Sequence, residues 1–457
     1  MIKERLPLVW AAILAMGFGL LVAAGTSWTS FVLTTLIAAL VFFAIGSRMR
    51  SEPDRGWLVK WVMLGLAAKV VGSLARYYMV AVFYEGGDSY RYFEVGNELA
   101  DIWHRGRIPE LSGAGAFGTQ ILEYVSGILF AAFSPDMLGG FLIFAVLAYC
   151  GQLMLYAAFR RWAIPNQLKT YAFFLLFLPT FMFWPSSIGK DAVIIFAIGG
   201  AAYFISRLLV NYEVRWLLGL AVFLGFVGLI RIHIAALVVI GLVGAGLLSK
   251  VPGGYTPAVA ARRALTLAGF VAAGILVLAF FPDILGVDLT TDQGLESFTS
   301  DIVRRTSEKG TVAAGGPVTS LADVPNAVAL VLFRPFIFEA TELQHLLAAA
   351  ETTLLLGLTV WKLPTIVRNH KAWRANAYTV FSTVYVLGFC IAFSVVRNLG
   401  IIARQRGQVL AFFLAIVVGM GWTRTEEESA VTPPISAVRE PNEFRGRQRS
   451  PDPTPVP

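Results

Sequence analysis

The chain returns again and again to apolar runs long enough to enter a bilayer, and this limits its fold more tightly than any other feature. The runs lie near 8–25, 29–46, 61–83, 137–158, 170–184, 191–206, 216–230, 234–249, 264–281, 343–361, 376–395 and 408–422. A helix needs roughly 20 apolar residues to cross the hydrocarbon core. No water is available there, so each run must satisfy its own backbone hydrogen bonds, as a helix does. The alternation that marks a membrane barrel strand is missing. The expected fold class is therefore all-α, a polytopic transmembrane helical bundle of about twelve spans. Runs 170–184 and 216–230 are short, which predicts tilted or broken segments. Composition agrees: 57% of the 457 residues are hydrophobic and 14% are charged, against about 25% charged in soluble domains. The net charge of +8 does not point to nucleic acid, because Lys and Arg cluster in short loops between the runs.

Those loops set an orientation. With Lys3 and Arg5 inside, alternate loops hold Arg48, Arg50 and Arg55, then Arg160, Arg161 and Lys169, then Arg207 and Arg215, then Lys250, Arg262 and Arg263, then Lys362, Arg368, Lys371 and Arg374. All fall on one side of a twelve-span arrangement, which the positive-inside rule makes cytoplasmic. The expectation is a multi-pass protein of the plasma or inner membrane with both termini in the cytoplasm. The opening MIKER and the run 8–24 read as a signal peptide or as an uncleaved first span. The second reading is preferred because another run, 31–46, follows at once. Residues 1–422 would form the bundle, with outer loops at 84–135 and 282–342, and 423–457 a disordered cytoplasmic tail. Cys150 and Cys390 sit inside apolar runs and read as small buried hydrophobes.

The remaining polar clusters fall on the opposite, outer side. They include YEGGDSYRYFEVGNELADIWHRGRIP (84–109), WPSSIGKD (184–191), Arg231-Ile-His233, FRPFIFE (333–339) and RNLGIIARQR (397–406). Basic residues are disfavoured in short outer loops, and charge near a span is costly and usually functional. The set points to an anionic ligand; the bland alternative is arginines that snorkel to lipid headgroups. After Asp88, residues Tyr92, Val95, Gly96, Leu99, Ile102 and Trp103 share one helical face, and Arg91, Glu94, Glu98, Asp101 and Arg105 the other. This predicts an amphipathic interfacial helix, followed by a second over 117–133. Asp88 reads equally as its N-cap or as a carboxylate held where a lipid-borne substrate presents its headgroup. In WPSSIGKD a helix start capped by Ser186 or Ser187, with Lys190 in the first turn, either faces water or holds a phosphate. Arg404 and Arg406 stand two apart and cannot share a helical face, so at least one is expected to point into the bundle. Arg suits phosphate through its planar fork. Arg334 precedes Pro335 in a weakly apolar stretch (326–338), which reads as a re-entrant or interfacial segment. The 282–325 loop reads as a lid or as a solvated connection. His104, His345 and His370 are too scattered for a metal site.

The order span, Asp, interfacial helix, loop, second amphipathic helix, span resembles the first outer loop of membrane glycosyltransferases of the C-type fold. In their protein mannosyltransferase and aminoarabinose transferase branches the Asp is followed by a Tyr, a small residue, a Leu and a Gly. Here Asp88, Tyr92, Gly96, Leu99 and Gly106 take those places. The other outer motifs look like those of bacterial membrane proteins of polysaccharide assembly, some transferase-like and some polymerases. The chain departs from the family in having two spans before the Asp loop, Ser89 after the Asp, and no large soluble domain behind the spans.

The resemblance implies sugar transfer from a polyprenyl-phosphate-linked donor at the extracytoplasmic face, with inversion. It implies Asp88 as general base, Lys190, Arg231, Arg404 and Arg406 as cations for the leaving phosphate, and His233 as a donor to phosphate or sugar. Arg334 and Tyr92 complete the expected substrate contacts. An Asp with a pKa of roughly 3.9 is a weak base, which partial burial improves. The sequence demands no cofactor or metal, although some branches of this fold use a divalent ion. Expected partners are the lipid-linked donor, membrane lipid and polysaccharide-assembly proteins. Three alternatives are a polymerase or ligase of lipid-linked oligosaccharides, a transporter or flippase with Lys69, Arg231 and His233 along its pathway, and a membrane scaffold for a polysaccharide-assembly complex.

Overall fold

The structure, a computed structural model, describes residues 29–48, 56–84, 86–110, 117–210, 213–250, 318–340, 343–396 and 398–421, with the isolated positions 257, 261, 264 and 268. The expected first span (8–25), the run 264–281 apart from positions 264 and 268, most of loop 282–325 and the tail 423–457 lie outside the described residues.

Among the described residues every regular element is helical. Those of seven residues or more are, in chain order, α1 (Thr29–Arg48), α2 (Leu58–Tyr78, continued by a wider turn over Met79–Phe83), α3 (Asp88–His104), α4 (Phe117–Phe133), α5 (Met137–Arg160), α6 (Pro165–Phe177), α7 (Lys190–Leu208), α8 (Val214–Ile230), α9 (Ile232–Leu248), α10 (Val324–Phe333), α11 (Leu343–Arg368), α12 (Ala377–Phe393), α13 (Leu399–Gln405) and α14 (Gly407–Gly421). Helix starts follow local chemistry. Asp136 accepts from the Gly139 N–H at 2.6 Å, Asn376 from Thr379 at 3.0 Å and Asn398 from Ile401 at 3.1 Å, each satisfying a donor that the first turn leaves open. Pro165 opens α6, where its missing N–H costs nothing.

Among the described residues four helices are long and apolar enough to cross a membrane, Leu58–Phe83, Met137–Arg160, Lys190–Leu208 and Leu346–Arg368. A fifth arises if α13 and α14, bent by 62° at their junction, form one broken span. The described residues form an all-helical bundle with the long apolar helices of a membrane protein; these four or five helices do not by themselves establish the twelve spans expected, of which 8–25 and most of 264–281 lie outside the described residues. Most of the other expected runs form apolar helices of 10–17 residues. The run between 214 and 248 shows why: α8 and α9 meet at the single residue Arg231, so neither gains length from a loop.

The centre of the bundle is the α5–α7 crossing, flanked by α8, α2 and α6. Without water to drive helices together, membrane helices gain from close backbone approach at small residues. A Cβ on Gly151 would lie 2.4 Å from the Ile195 carbonyl oxygen, and one on Gly199 would lie 2.2 Å from that of Gly151. Buried polar side chains tie neighbouring helices through backbone carbonyls. Tyr149 donates to Val62 O at 2.5 Å, Gln152 to Leu175 O at 2.7 Å and Gln167 to Gly419 O at 2.9 Å. A second group, α9 with α12 and α12 with α14, completes the described bundle.

α3 and α4 pack on each other as an amphipathic pair, in the positions the sequence predicts. The buried face of α3 is Ser89, Tyr92, Gly96 and Ala100, while Arg91, Glu94, Glu98, Asp101 and Arg105 are exposed. Gly87 precedes α3 with φ of 119°, a conformation that favours glycine.

Candidate functional site

The site is assembled by one hydroxyl. Ser89, the second residue of α3, donates to the Ile188 carbonyl at 2.8 Å. This pins the start of α3 to the WPSSIGKD turn and brings Asp88 beside Lys190. α7 begins at Lys190 behind Gly189, with no side-chain cap. The expected caps act otherwise: the Ser186 hydroxyl turns back to the Met182 carbonyl at 2.5 Å. It also accepts from the Lys69 ammonium at 3.2 Å, which donates to the Phe181 carbonyl at 2.6 Å. Lys69, 1% exposed, thus braces the turn before α7.

Asp191 is the pivot. Its Oδ1 accepts from Arg231 Nη2 at 3.1 Å, and its Oδ2 accepts from Arg404 Nε. Arg231 holds the junction of α8 and α9, and Arg404 the last turn of α13. Gln405 adds an acceptor for Arg231 Nη1 at 2.8 Å. Lys190 Nζ donates to Thr119 Oγ1 of α4 at 2.8 Å. Thr119 also lies beside the buried Tyr92. Asp88 is exposed, rather than partly buried as expected, and among the described residues it has no ion pair. It opens α3 as its first residue, so it is not the N-cap. Its charge interacts with Lys190, Arg404 and Tyr92.

Arg76 joins the group from α2. Its guanidinium lies over the Phe183 and Trp184 rings at 5.2 and 5.1 Å and interacts with the charges of Arg404 and Asp191. The cluster therefore carries four cations, Arg76, Lys190, Arg231 and Arg404, against the carboxylates of Asp191 and Asp88. Of the two arginines on Asp191, Arg404 is the more open. Its side chain is 34% exposed against 11% for Arg231 and 9% for Asp191. Its Nε is held by Asp191, and its two Nη groups make no other hydrogen bond among the described residues. A fixed guanidinium with a free planar edge, beside a half-open ammonium, is the arrangement that grips a phosphate.

Two expected site residues lie elsewhere, and a third stands at the edge of the cluster. Arg406 is fully buried and donates through Nε to Val331 O at 3.0 Å and through Nη2 to Arg334 O. It therefore closes the C-terminal end of α10 instead of facing a substrate. Arg404 and Arg406 take different tasks, because residues two apart project from different faces and the break between α13 and α14 falls at Arg406 itself. Arg334 pairs with Glu339 in its own turn. Burial alone would raise the Glu339 carboxyl, but hydrogen bonds from Arg334 and the Phe336 N–H, with the guanidinium charge, hold it below its usual 4.5. His233 rests against Phe393, ring centres 5.8 Å apart, and its ring feels the charge of Arg231. Of the nominated residues, Asp88, Tyr92, Lys190, Arg231 and Arg404 come together.

Sequence reasoning missed Arg76, Thr119, Gln405 and the role of Asp191. Arg76 carried a signal, a charge inside an apolar run. Asp191 stood in a motif already singled out, but only the fold shows what it faces. Among the described residues no group of three or more His, Cys, Asp or Glu is placed to hold a metal. The chain matches no protein-family model, and neither a curated protein nor a solved structure matches it.

Proposed function

We propose that this protein is a membrane glycosyltransferase that moves a sugar from a polyprenyl-phosphate-linked donor to an acceptor hydroxyl at the extracytoplasmic face, in cell-envelope or polysaccharide assembly. The observation that carries the reading is the gathering of four cations about the buried Asp191, next to the exposed carboxylate of Asp88. In the reaction the acceptor oxygen attacks the anomeric carbon from the face opposite the phosphate. The carbon–oxygen bond to the phosphate breaks, the polyprenyl phosphate leaves, and Asp88 takes the hydroxyl proton. Arg404, Lys190 and Arg76 meet the charge that develops on the leaving oxygen. Fixed cations stabilise such charge without reorganising during the step. Asp191 and Gln405 hold Arg231 and Arg404 in place through bonds that do not involve substrate.

The test is Asp88→Asn in purified protein supplied with a radiolabelled polyprenyl-phosphate sugar. General-base removal lowers transfer by about 10²–10⁴-fold, with thermal stability unchanged because Asp88 is exposed. Transfer at the wild-type rate in that variant ends the base assignment. One observation favours the second reading, a polymerase or ligase of lipid-linked oligosaccharides: Asp88 is exposed and lacks the burial that sharpens a carboxylate base. That reading gains if Asp88→Asn retains activity while Arg404→Gln loses it. The transporter reading is weakened by Lys69, whose ammonium is locked onto Phe181 O and Ser186. Movement of the lipid-linked substrate across liposomes without covalent change would replace the enzyme reading.

A further inference from the structure

At the far end of α2 from this site, a cleft of about 410 Å³ opens between α2, α6 and α11, lined chiefly by Trp61, Lys169, Phe173, Phe174, Leu358 and Trp361. That volume lies in the roughly 300–1,000 Å³ range of ligand sites. Trp61 and Arg76 stand near opposite ends of α2, about 22 Å apart at the helical rise of about 1.5 Å per residue. The cleft is therefore separate from the cation cluster.

Its walls are aromatic and its charge is of one sign. Trp61 packs edge-on to Trp57 and Phe177 and tilted to Phe173, with ring centres 5.3, 5.9 and 5.8 Å away. The Lys169 ammonium lies 5.9 Å from the Trp61 ring, and the Lys362 ammonium lies 3.8 Å from the Trp361 ring. Lys169 is thus the one charged side chain among the described residues that line the cleft, and Lys362, 9% exposed, lies against the Trp361 ring outside that lining. Trp361 is 68% exposed and Phe173 47%, and Trp361 stands on a helix long and apolar enough to cross a membrane. Tryptophan and snorkelling lysine are the side chains that settle at the headgroup level. Basic pockets between membrane helices bind anionic headgroups.

We propose that this cleft holds one anionic glycerophospholipid from the surrounding bilayer. An acyl chain lies against Phe173, Leu358 and Trp361, and the headgroup phosphate sits on the exposed ammonium of Lys169. The occupant is a resident lipid and not the donor of the proposed reaction, whose phosphate belongs with the cations at the other end of α2. The inference stands whether or not that reaction is the right one.

The test is native mass spectrometry of the full chain ejected from nanodiscs of equal phosphatidylglycerol and phosphatidylcholine. The wild type should retain phosphatidylglycerol in preference to phosphatidylcholine. Lys169→Gln should lower that retention about fivefold, the worth of one lysine beside an anionic headgroup, while Lys169→Arg keeps it. Trp361→Ala should lower retention of both lipids. Lys169 and Trp361 are exposed, so all three variants should run as the wild type in gel filtration. Equal retention of the two lipids by the wild type overturns the proposal. So does undiminished phosphatidylglycerol retention in Lys169→Gln.

Discussion

Replacing Asp191 by Asn removes the one negative charge that two guanidiniums share. Arg231 reaches Oδ1 at 3.1 Å, with side chains 11% and 9% exposed, and Arg404 holds Oδ2 with 34% exposure. Breaking a buried ion pair costs about 3–5 kcal/mol, because the cation left behind has lost its solvent and its counter-charge. The Arg404 arm is a third open to water and contributes at most about 1 kcal/mol. Gln405 still accepts from Arg231 at 2.8 Å and keeps one of its donors satisfied, which places the total near the lower end, about 3 kcal/mol. Adding Arg231→Gln to the same chain removes the stranded cation. At least half of the loss should then return, a coupling of about 1.5 kcal/mol or more between neighbouring sites. The assay is unfolding in maltoside–dodecyl sulfate mixtures followed by far-ultraviolet circular dichroism, for the wild type, both single variants and the double variant. An Asp191→Asn protein within about 0.5 kcal/mol of the wild type, the usual size of a neutral surface change, refutes the pivot. So do single-variant losses that simply add.

Two further predictions concern packing and pH. Gly199→Leu places its Cβ 2.2 Å from the Gly151 carbonyl oxygen, so α5 and α7 must part and the protein should run aggregated in gel filtration; Gly225→Leu, with nothing within 4 Å, should stay monodisperse. The Glu339 carboxyl is held below 4.5 in the fold, so its contribution to stability is complete above that value and fades as the pH falls through the lower, folded one. Thermal melts from pH 7 to pH 3 should show the wild type above Glu339→Gln at neutral pH and the gap closing in acid; a gap that widens in acid contradicts the pairing with Arg334.

Much of the secondary structure was legible because hydropathy and helical period are local. α3 and α4 begin and end where the charged face and the apolar run predict, and the charged positions Arg91, Glu94, Glu98, Asp101 and Arg105 are exposed. Span counting was less legible. A run of given hydropathy reads alike whether it crosses a bilayer or forms half of a bent pair; the break at Arg231 was visible as a charge between two apolar runs, but not whether those runs are separate spans. The caps of α7 were misread for a similar reason. Ser186 is a good N-cap by type, but Lys69, 117 positions away in the chain, holds it in another role.

By itself the sequence determined that this chain is a bundle of membrane helices and which residues begin many of them, since a backbone in hydrocarbon must satisfy its hydrogen bonds within each segment. It also marked Asp88, Lys190, Arg231 and Arg404 as costly charges in unusual places. Only the tertiary structure decided which of them meet. Asp191 and Arg404 are 213 positions apart, and no local pattern encodes a contact made by folding. The break between α13 and α14 falls at Arg406, so Arg404 meets Asp191 while Arg406 is buried against α10. Charge type is a property of the residue, but the counter-charge that gives it a task belongs to the fold.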